Sequence, residues 1–303
     1  MLSDRVSVYE VGLRDGLQNE QGFLPTEQKR ELLQALLASG LQRLELTSFV
    51  SPKWVPQLAD AEALARLVLP SADGVSLSAL VPNATGLERA IATGIPEIAV
   101  FLSASETHSK KNINKSIERA FEVIGELLPL ALAAGLRVRG YVSTVWGCPY
   151  EGAIEPAHAI AIAARLAALG CYQVSLGDTI GVGNPRQTRE LVRRARDALP
   201  LDAIALHMHD TRGTALANIL AALELGVRVF DSSIGGMGGC PYAPGAAGNV
   251  ATEDLVYMLE GMGLDTGIDL DTLIEAGRLA ERLVGHPLPG KVHRAGPLRP
   301  RPA

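Results

Sequence analysis

The sequence predicts a closed barrel of eight parallel strands alternating with helices, on three observations. Short runs rich in Val, Ile and Leu recur along the 303 residues, each followed by a longer segment with apolar residues at helical spacing. The strand runs read as near-continuously apolar, as expected of a parallel sheet covered by helices. Eight such units of about 30 residues each form a (β/α)8 TIM barrel, of α/β class. A doubly wound open sheet is the competing arrangement, but no Gly-x-Gly-x-x-Gly follows the first strand.

The elements follow in order. The first strand is expected at Val6–Glu10, with a helix at Thr26–Ser39. Arg43–Thr47 then pairs with the helix Leu58–Val68, Val75–Leu80 with Ala84–Thr93, and Glu97–Leu102 with Ile117–Ala134. Arg137–Ser143 precedes Pro156–Leu169, Gln173–Gly177 precedes Pro185–Ala198, and Ile204–His209 precedes Thr214–Leu225; Val227–Ser232 is the eighth strand. Gly40, Gly94, Gly135, Gly170 and Gly226 each stand just past a helix, where a left-handed cap belongs. Thr252–Gly261 and Leu270–Leu283 add two C-terminal helices. Residues 1–285 are expected to form one catalytic domain, and 286–303 a Pro-, Arg- and Gly-rich tail, partly disordered at its end.

Composition narrows the function. Hydrophobic residues make up 47% of the chain, enough for a large core, and the net charge of −5 is spread among mixed signs. No basic block or aromatic–basic stripe suggests nucleic acid. No stretch is long and apolar enough for a membrane span, and the N-terminus lacks the apolar centre of a signal peptide. Three scattered cysteines (Cys148, Cys171, Cys240) suit a reducing cytoplasm.

The most informative stretch is His207-Met208-His209-Asp210. Residues two apart on a strand share a face, so both imidazoles project together near the strand's end. Such a pair can hold a divalent metal, or be two histidines with ordinary hydrogen bonds. A barrel places its chemistry at the C-terminal ends of the strands, and ionisable residues gather there. Arg14 and Asp15 follow the first strand, Glu45 ends the second, Asp178 follows the sixth, and a loop with six glycines between Gly235 and Gly248 follows the eighth.

Two histidines, one carboxylate and further oxygens suit Mg²⁺ or Mn²⁺. Asp15 is the best carboxylate, although a salt bridge with Arg14 or a helix cap also accounts for it. Asn249 offers a carbonyl oxygen, or caps the helix starting near Ala251. Arg14 is a fixed cation able to stabilise an enolate or carboxylate oxygen, and Glu45 either orients it or forms a structural ion pair with it. Gly-Cys-Pro-Tyr occurs twice, around Cys148 and around Cys240. Either loop could supply a thiol, the second on a mobile glycine-rich lid. Cys148 and Cys171 read as small apolar packers.

Several long stretches resemble the 3-hydroxy-3-methylglutaryl-CoA lyase family, within the metal-dependent barrels built on an Asp-Arg-Glu set (here Asp15, Arg14 and Glu45). They are Glu10-Val-Gly-Leu-Arg-Asp-Gly-Leu-Gln-Asn-Glu20, Leu46-Thr-Ser-Phe-Val-Ser-Pro-Lys-Trp-Val-Pro-Gln57, Lys110-Lys-Asn-Ile-Asn114, Ser175-Leu-Gly-Asp-Thr-Ile-Gly-Val-Gly183 and the second Gly-Cys-Pro-Tyr loop. The resemblance runs from about Val6 to about Gly285. It differs at Leu13, where the family usually has Pro, and at Gln21, where many members have Lys; no cysteine follows Cys240.

The resemblance implies cleavage of (S)-3-hydroxy-3-methylglutaryl-CoA to acetyl-CoA and acetoacetate, a step of leucine breakdown or ketone-body formation. It assigns the metal, Mg²⁺ or Mn²⁺, to Asp15, His207, His209 and Asn249, and the catalytic thiol to Cys240. Arg14, Glu45 and Asp178 complete the catalytic set, and His207 or a metal-linked carboxylate is the general base. Lys53, Lys110, Lys111 and Asn112, taken as loop residues, are candidates to meet the CoA arm. The expected partner is an acyl-CoA, with no nucleic acid and no membrane, and the expected assembly is a homodimer. Alternatives are a lyase for a longer substrate such as 3-hydroxy-3-isohexenylglutaryl-CoA, a Claisen-type synthase, and a non-enzymatic binding module.

Overall fold

Strand β1 (Ser7–Glu10) is hydrogen-bonded on one side to β10 (Val229–Ser232) and on the other to β2 (Arg43–Ser48), and this closes the sheet. The computed structural model describes residues 5–239 and 247–296. From β2 the barrel continues through β3 (Ser76–Leu80), β4 (Glu97–Ser103), β5 (Arg137–Ser143), β8 (Gln173–Asp178) and β9 (Ile204–Met208) back to β10. Every neighbouring pair is parallel. A small antiparallel hairpin, β6 (Gly147–Cys148) with β7 (Gly152–Ala153), stands on the rim after β5. All eight expected barrel strands are present, and the chain is a (β/α)8 barrel.

The outer layer comprises α1 (Thr26–Ala38), α2 (Ala61–Val68), α3 (Ala84–Ile91), α5 (Ile117–Ala133), α6 (Pro156–Ala168), α7 (Pro185–Ala198) and α8 (Ala215–Leu223). The five glycines expected as left-handed caps all have positive φ. α9 (Thr252–Gly261) and α10 (Leu270–Val284) follow the barrel.

Two helices had no clear periodic signal. One is α4 (Glu106–Ile113), which carries Lys110, Lys111 and Asn112, so these are helical and not loop residues as expected. It is mostly polar, so it has no apolar stripe; the Ser105 side chain caps it by accepting from His108 N. The other is the short α11 (Val292–Ala295). Here residues 286–296 of the stretch set apart as a tail are folded onto the barrel: Leu288 and His293 are buried, and Gly290 N donates to Gly235 O at 2.8 Å.

The strands are apolar on one face only. Leu44, Leu46, Ile98, Val100, Val138, Val142, Leu176 and Leu206 pack outward in the main core with the helices. The axis-facing positions are largely polar, contrary to the expected continuous apolar runs. Arg139 on β5 meets Asp231 on β10, and the Tyr9 hydroxyl on β1 donates to Glu97 on β4 at 3.2 Å. Neither strand pair is adjacent in the sheet, so these side chains meet across the barrel axis. The period of two was present in Arg43-Leu-Glu-Leu and Arg137-Val-Arg-Gly-Tyr.

Candidate metal centre and catalytic rim

Immediately after β1 the backbone forms a π-turn, Gly12–Gly16, in which the amides of Arg14, Asp15 and Gly16 all donate to Val11 O. Such turns often mark functional sites. Gly12 is required by close approach: a Cβ there would lie 2.6 Å from Glu10 Oε1 and 3.0 Å from Ile234 Cγ2. The turn directs Arg14 and Asp15 over the mouth of the barrel. Arg14 Nε donates to Glu45 Oε2 at 2.6 Å, and Arg14 Nη1 donates to Asp15 Oδ1 at 2.5 Å. Glu45 is fully buried at the axis and also accepts from the Tyr141 hydroxyl at 3.3 Å. Both sequence alternatives for this pair therefore hold: it is an ion pair, and it orients the guanidinium.

His207 is the penultimate residue of β9, with its side chain toward the axis. His209 lies one residue beyond the strand, in an isolated bridge with Asn249. Their Nε2 atoms are 3.2 Å apart, and Asp15 Oδ2 is 3.9 Å from His207 Nε2. One ligand atom from each of Asp15, His207 and His209 falls within a 4.8 Å span. Asn249 does not cap the following helix, whose N-cap is Ala251. Its amide nitrogen donates to Asp15 Oδ2 at 2.8 Å and to Met237 O at 3.1 Å, so the carboxamide borders the cluster through its nitrogen.

The electrostatics fit a cation. Burial alone would raise the pKa of Asp15, but Arg14 and the two imidazoles outweigh it and hold the carboxyl well below its usual range. Burial, with His207 alongside, pushes His209 down to about 3, so its ring is neutral. Burial would also lower His207, but Asp231 and Asp15 reverse this and raise it. Both histidine Nδ1 atoms are buried without a hydrogen-bond partner among the described residues. An ionised carboxylate and convergent imidazole nitrogens are a donor set for a divalent metal.

The other expected residues fall in different places. Asp178 ends β8, and both its oxygens accept from the following loop: Oδ1 from Val182 N at 3.0 Å, Oδ2 from Gly183 N at 2.8 Å. Its carboxylate shapes that loop, and burial raises its pKa. Cys240 lies outside the described residues. The loop that carries it leaves the barrel at Gly238, whose carbonyl accepts from Asn249 N at 3.3 Å. Cys148 is buried on the β6–β7 hairpin, with Sγ 2.9 Å from Ser105 Oγ. Cys171 is buried, and burial pushes its thiol up to about 12. Lys53, Lys110, Lys111 and Asn112 are exposed. Lys110 pairs with Glu106 at 3.2 Å, and Lys111 lies over the Tyr150 ring.

Sequence reasoning missed Glu10, Arg139, Tyr141 and Asp231. Glu10 Oε1 accepts from both Gly12 N and Ile234 N, joining the π-turn to the root of the glycine-rich loop. Arg139, Tyr141 and Asp231 are polar residues at axis-facing strand positions, and that alternation is the signal that could have found them; Glu10 lies on the opposite face of β1 from Tyr9 and accepts from Thr252 of α9, so it had no such signal.

Fold and rim together define a (β/α)8 enzyme with an Asp-Arg-Glu set beside a candidate metal site. A family model described as HMGL-like matches residues 5–280, and the chain belongs to that family. It is 52% identical over 274 residues to the mitochondrial hydroxymethylglutaryl-CoA lyase of Bos taurus, covering 90% of this chain and 84% of that one. The HMG-CoA lyase of Bacillus subtilis superposes with a TM-score of 0.95 at 46% identity, covering 97% of this chain and 98% of that one. An Acinetobacter baumannii HMG-CoA lyase, solved with coenzyme A and 3-methylmalate, superposes at 0.93 with 38% identity, covering 100% of this chain and 99% of that one.

Proposed function

We propose that this chain is a divalent-metal-dependent carbon–carbon lyase that cleaves (S)-3-hydroxy-3-methylglutaryl-CoA to acetyl-CoA and acetoacetate. The observation that carries the reading is the Arg14 guanidinium, held by Glu45 against the Asp15–His207–His209 cluster at the mouth of an HMGL-like barrel.

A Mg²⁺ or Mn²⁺ ion held by Asp15, His207 and His209, with Asn249 turned to present its carbonyl oxygen, would supply Lewis acidity toward the tertiary hydroxyl, lowering its pKa. The hydroxyl proton passes to a base within this cluster. The carbon–carbon bond then breaks in retro-aldol fashion. The hydroxyl carbon becomes the ketone of acetoacetate, and the bonding electrons become a thioester enolate. Arg14, fixed by Glu45, donates to the enolate oxygen. The Cys240 thiol gives its proton to the enolate carbon, forming the methyl group of acetyl-CoA, and recovers one from the base. Asp178 acts through the loop it holds. Lys53, Lys110, Lys111 and Asn112 meet the CoA arm. No described helix is long and apolar enough to cross a membrane. The proposed assembly is a homodimer in the cytoplasm.

The test is product analysis. EDTA-treated protein is incubated with 3-hydroxy-3-methylglutaryl-CoA, with and without Mg²⁺ or Mn²⁺, and products are identified by mass spectrometry. Acetyl-CoA and acetoacetate in equal amounts, only with metal, are expected. No cleavage in the presence of metal defeats the reading. Faster cleavage of 3-hydroxy-3-isohexenylglutaryl-CoA reassigns the substrate to the longer homologue.

A further inference from the structure

A buried carboxylate lies beneath the metal centre. Asp231 on β10 is in register with His207 on the adjacent β9, and none of its side chain reaches solvent. Its Oδ1 accepts from Arg139 Nη2 at 2.7 Å. Its Oδ2 accepts from Arg139 Nη1 at 3.1 Å and from Ser175 Oγ at 2.8 Å. The third group facing Oδ2 is His207 Nδ1, 3.3 Å away. This approach is not an aligned hydrogen bond, but no hydrogen-bond partner reaches Nδ1 from the other described residues.

A guanidinium in two-point contact keeps a carboxylate ionised, so the Asp231 oxygens only accept. A neutral imidazole beside such an oxygen carries its proton on Nδ1, because the other tautomer sets a lone pair against a negative charge. Nε2 then keeps its lone pair, and Nε2 is the atom that faces Asp15 and His209.

We propose that Asp231 is a positioning residue: it fixes His207 in the Nδ1–H tautomer and so dedicates Nε2 to the metal. The inference rests on the reading of His207 as a metal ligand. It makes the two imidazoles inequivalent, since no ion pair joins a carboxylate to His209 Nδ1 among the described residues. It also narrows the chemistry. With Nδ1 protonated against Asp231 and Nε2 given to the metal, His207 has no free lone pair for the substrate's hydroxyl proton. His207 is then excluded as the base.

The test begins with the wild-type protein. With [¹⁵N]histidine labelling, His207 is identified by the resonances that His207→Gln removes. Nitrogen shifts and long-range couplings then report its tautomer, at a pH high enough that the ring is neutral, before and after Mg²⁺ is added. A protonated Nδ1 and an unprotonated Nε2 are expected in both states; an Nε2–H tautomer overturns the proposal. Metal affinity is read by the loss of free Mn²⁺ signal in electron paramagnetic resonance. Asp231→Asn is expected to bind Mn²⁺ about 10–100-fold more weakly, as typical for losing a carboxylate behind a histidine ligand. Ser175→Ala, which keeps the charge, is expected to bind within a few-fold of wild type. Unchanged affinity in Asp231→Asn overturns the proposal while leaving the metal site standing. A wild-type protein that binds no Mn²⁺ removes both. If Asp231→Asn does not fold, the wild-type tautomer decides alone.

Discussion

Replacing Arg14 with methionine perturbs stability and catalysis by separable amounts. The guanidinium is in contact with both Glu45 and Asp15, and Glu45 is fully buried. Removing the cation strands that carboxylate, at a cost of about 3–5 kcal/mol for breaking a buried pair from one side. Burial already raises the Glu45 pKa even with Arg14 beside it. Without Arg14 it rises further, so the variant binds a proton in the folded state that the unfolded chain has lost, and the stability deficit grows as pH increases. Adding Glu45→Gln removes the stranded charge and is expected to recover most of the loss. Catalysis will not recover. Arg14 meets charge that appears only as the bond breaks, so its loss falls on kcat, by about 10²–10³, or roughly 2.7–4 kcal/mol. Urea denaturation at two pH values and steady-state kinetics on the single and double variants separate the two effects. Near-normal kcat with a raised KM refutes the reasoning, because Arg14 would then only hold substrate.

His209→Ala should lower Mn²⁺ affinity by orders of magnitude with the fold intact by circular dichroism; unchanged metal content in the purified variant removes His209 from the ligand set. Cys240→Ser should cripple cleavage, since a hydroxyl is a far weaker acid than a thiol, whereas Cys148→Ser should cost stability at most; the reverse pattern in turnover assays transfers the proton-donor role to the hairpin. Burial pushes Glu253 up to about 8, against about 4.3 for a free glutamate, so between those values the folded protein holds a proton the unfolded chain has lost. Stability should therefore fall with rising pH across that window, by up to about 1.4 kcal/mol per pH unit, and Glu253→Gln should remove this contribution; equal slopes in urea titrations of the two proteins would show Glu253 ionised throughout.

Barrel order and much of the rim were legible for a physical reason. Outward strand positions must be apolar to pack against helices, and each helix needs a stripe and a stop, so both periods and the capping glycines are written locally. The His207–His209 pair was legible because same-face spacing is also local. What escaped lacks a local signal. Helix α4 is held by a cap and i,i+4 charge pairing, not by an apolar stripe. The docking of Leu288 and His293 depends on tertiary contacts that a Pro- and Gly-rich composition does not announce.

The polar axis escaped for another reason, and it bears on the site. Arg43, Arg139 and Asp231 read singly as interruptions of apolar strands, since what joins them to Glu45 is a cross-barrel distance. Yet the chain is continuous: Glu45 accepts from Tyr141, the Tyr141 oxygen accepts from Arg139 at 2.9 Å, Arg139 grips Asp231, and Asp231 faces His207. An apolar barrel interior would avoid the desolvation of these charges and is often the more stable choice. A connected polar network holds its members to one geometry, which loose apolar packing does not. Here it runs from the anchor of Arg14 to the anchor of His207. The stability given up at the axis therefore fixes two groups that chain connectivity places far apart, and Arg139, which touches neither, sets their separation.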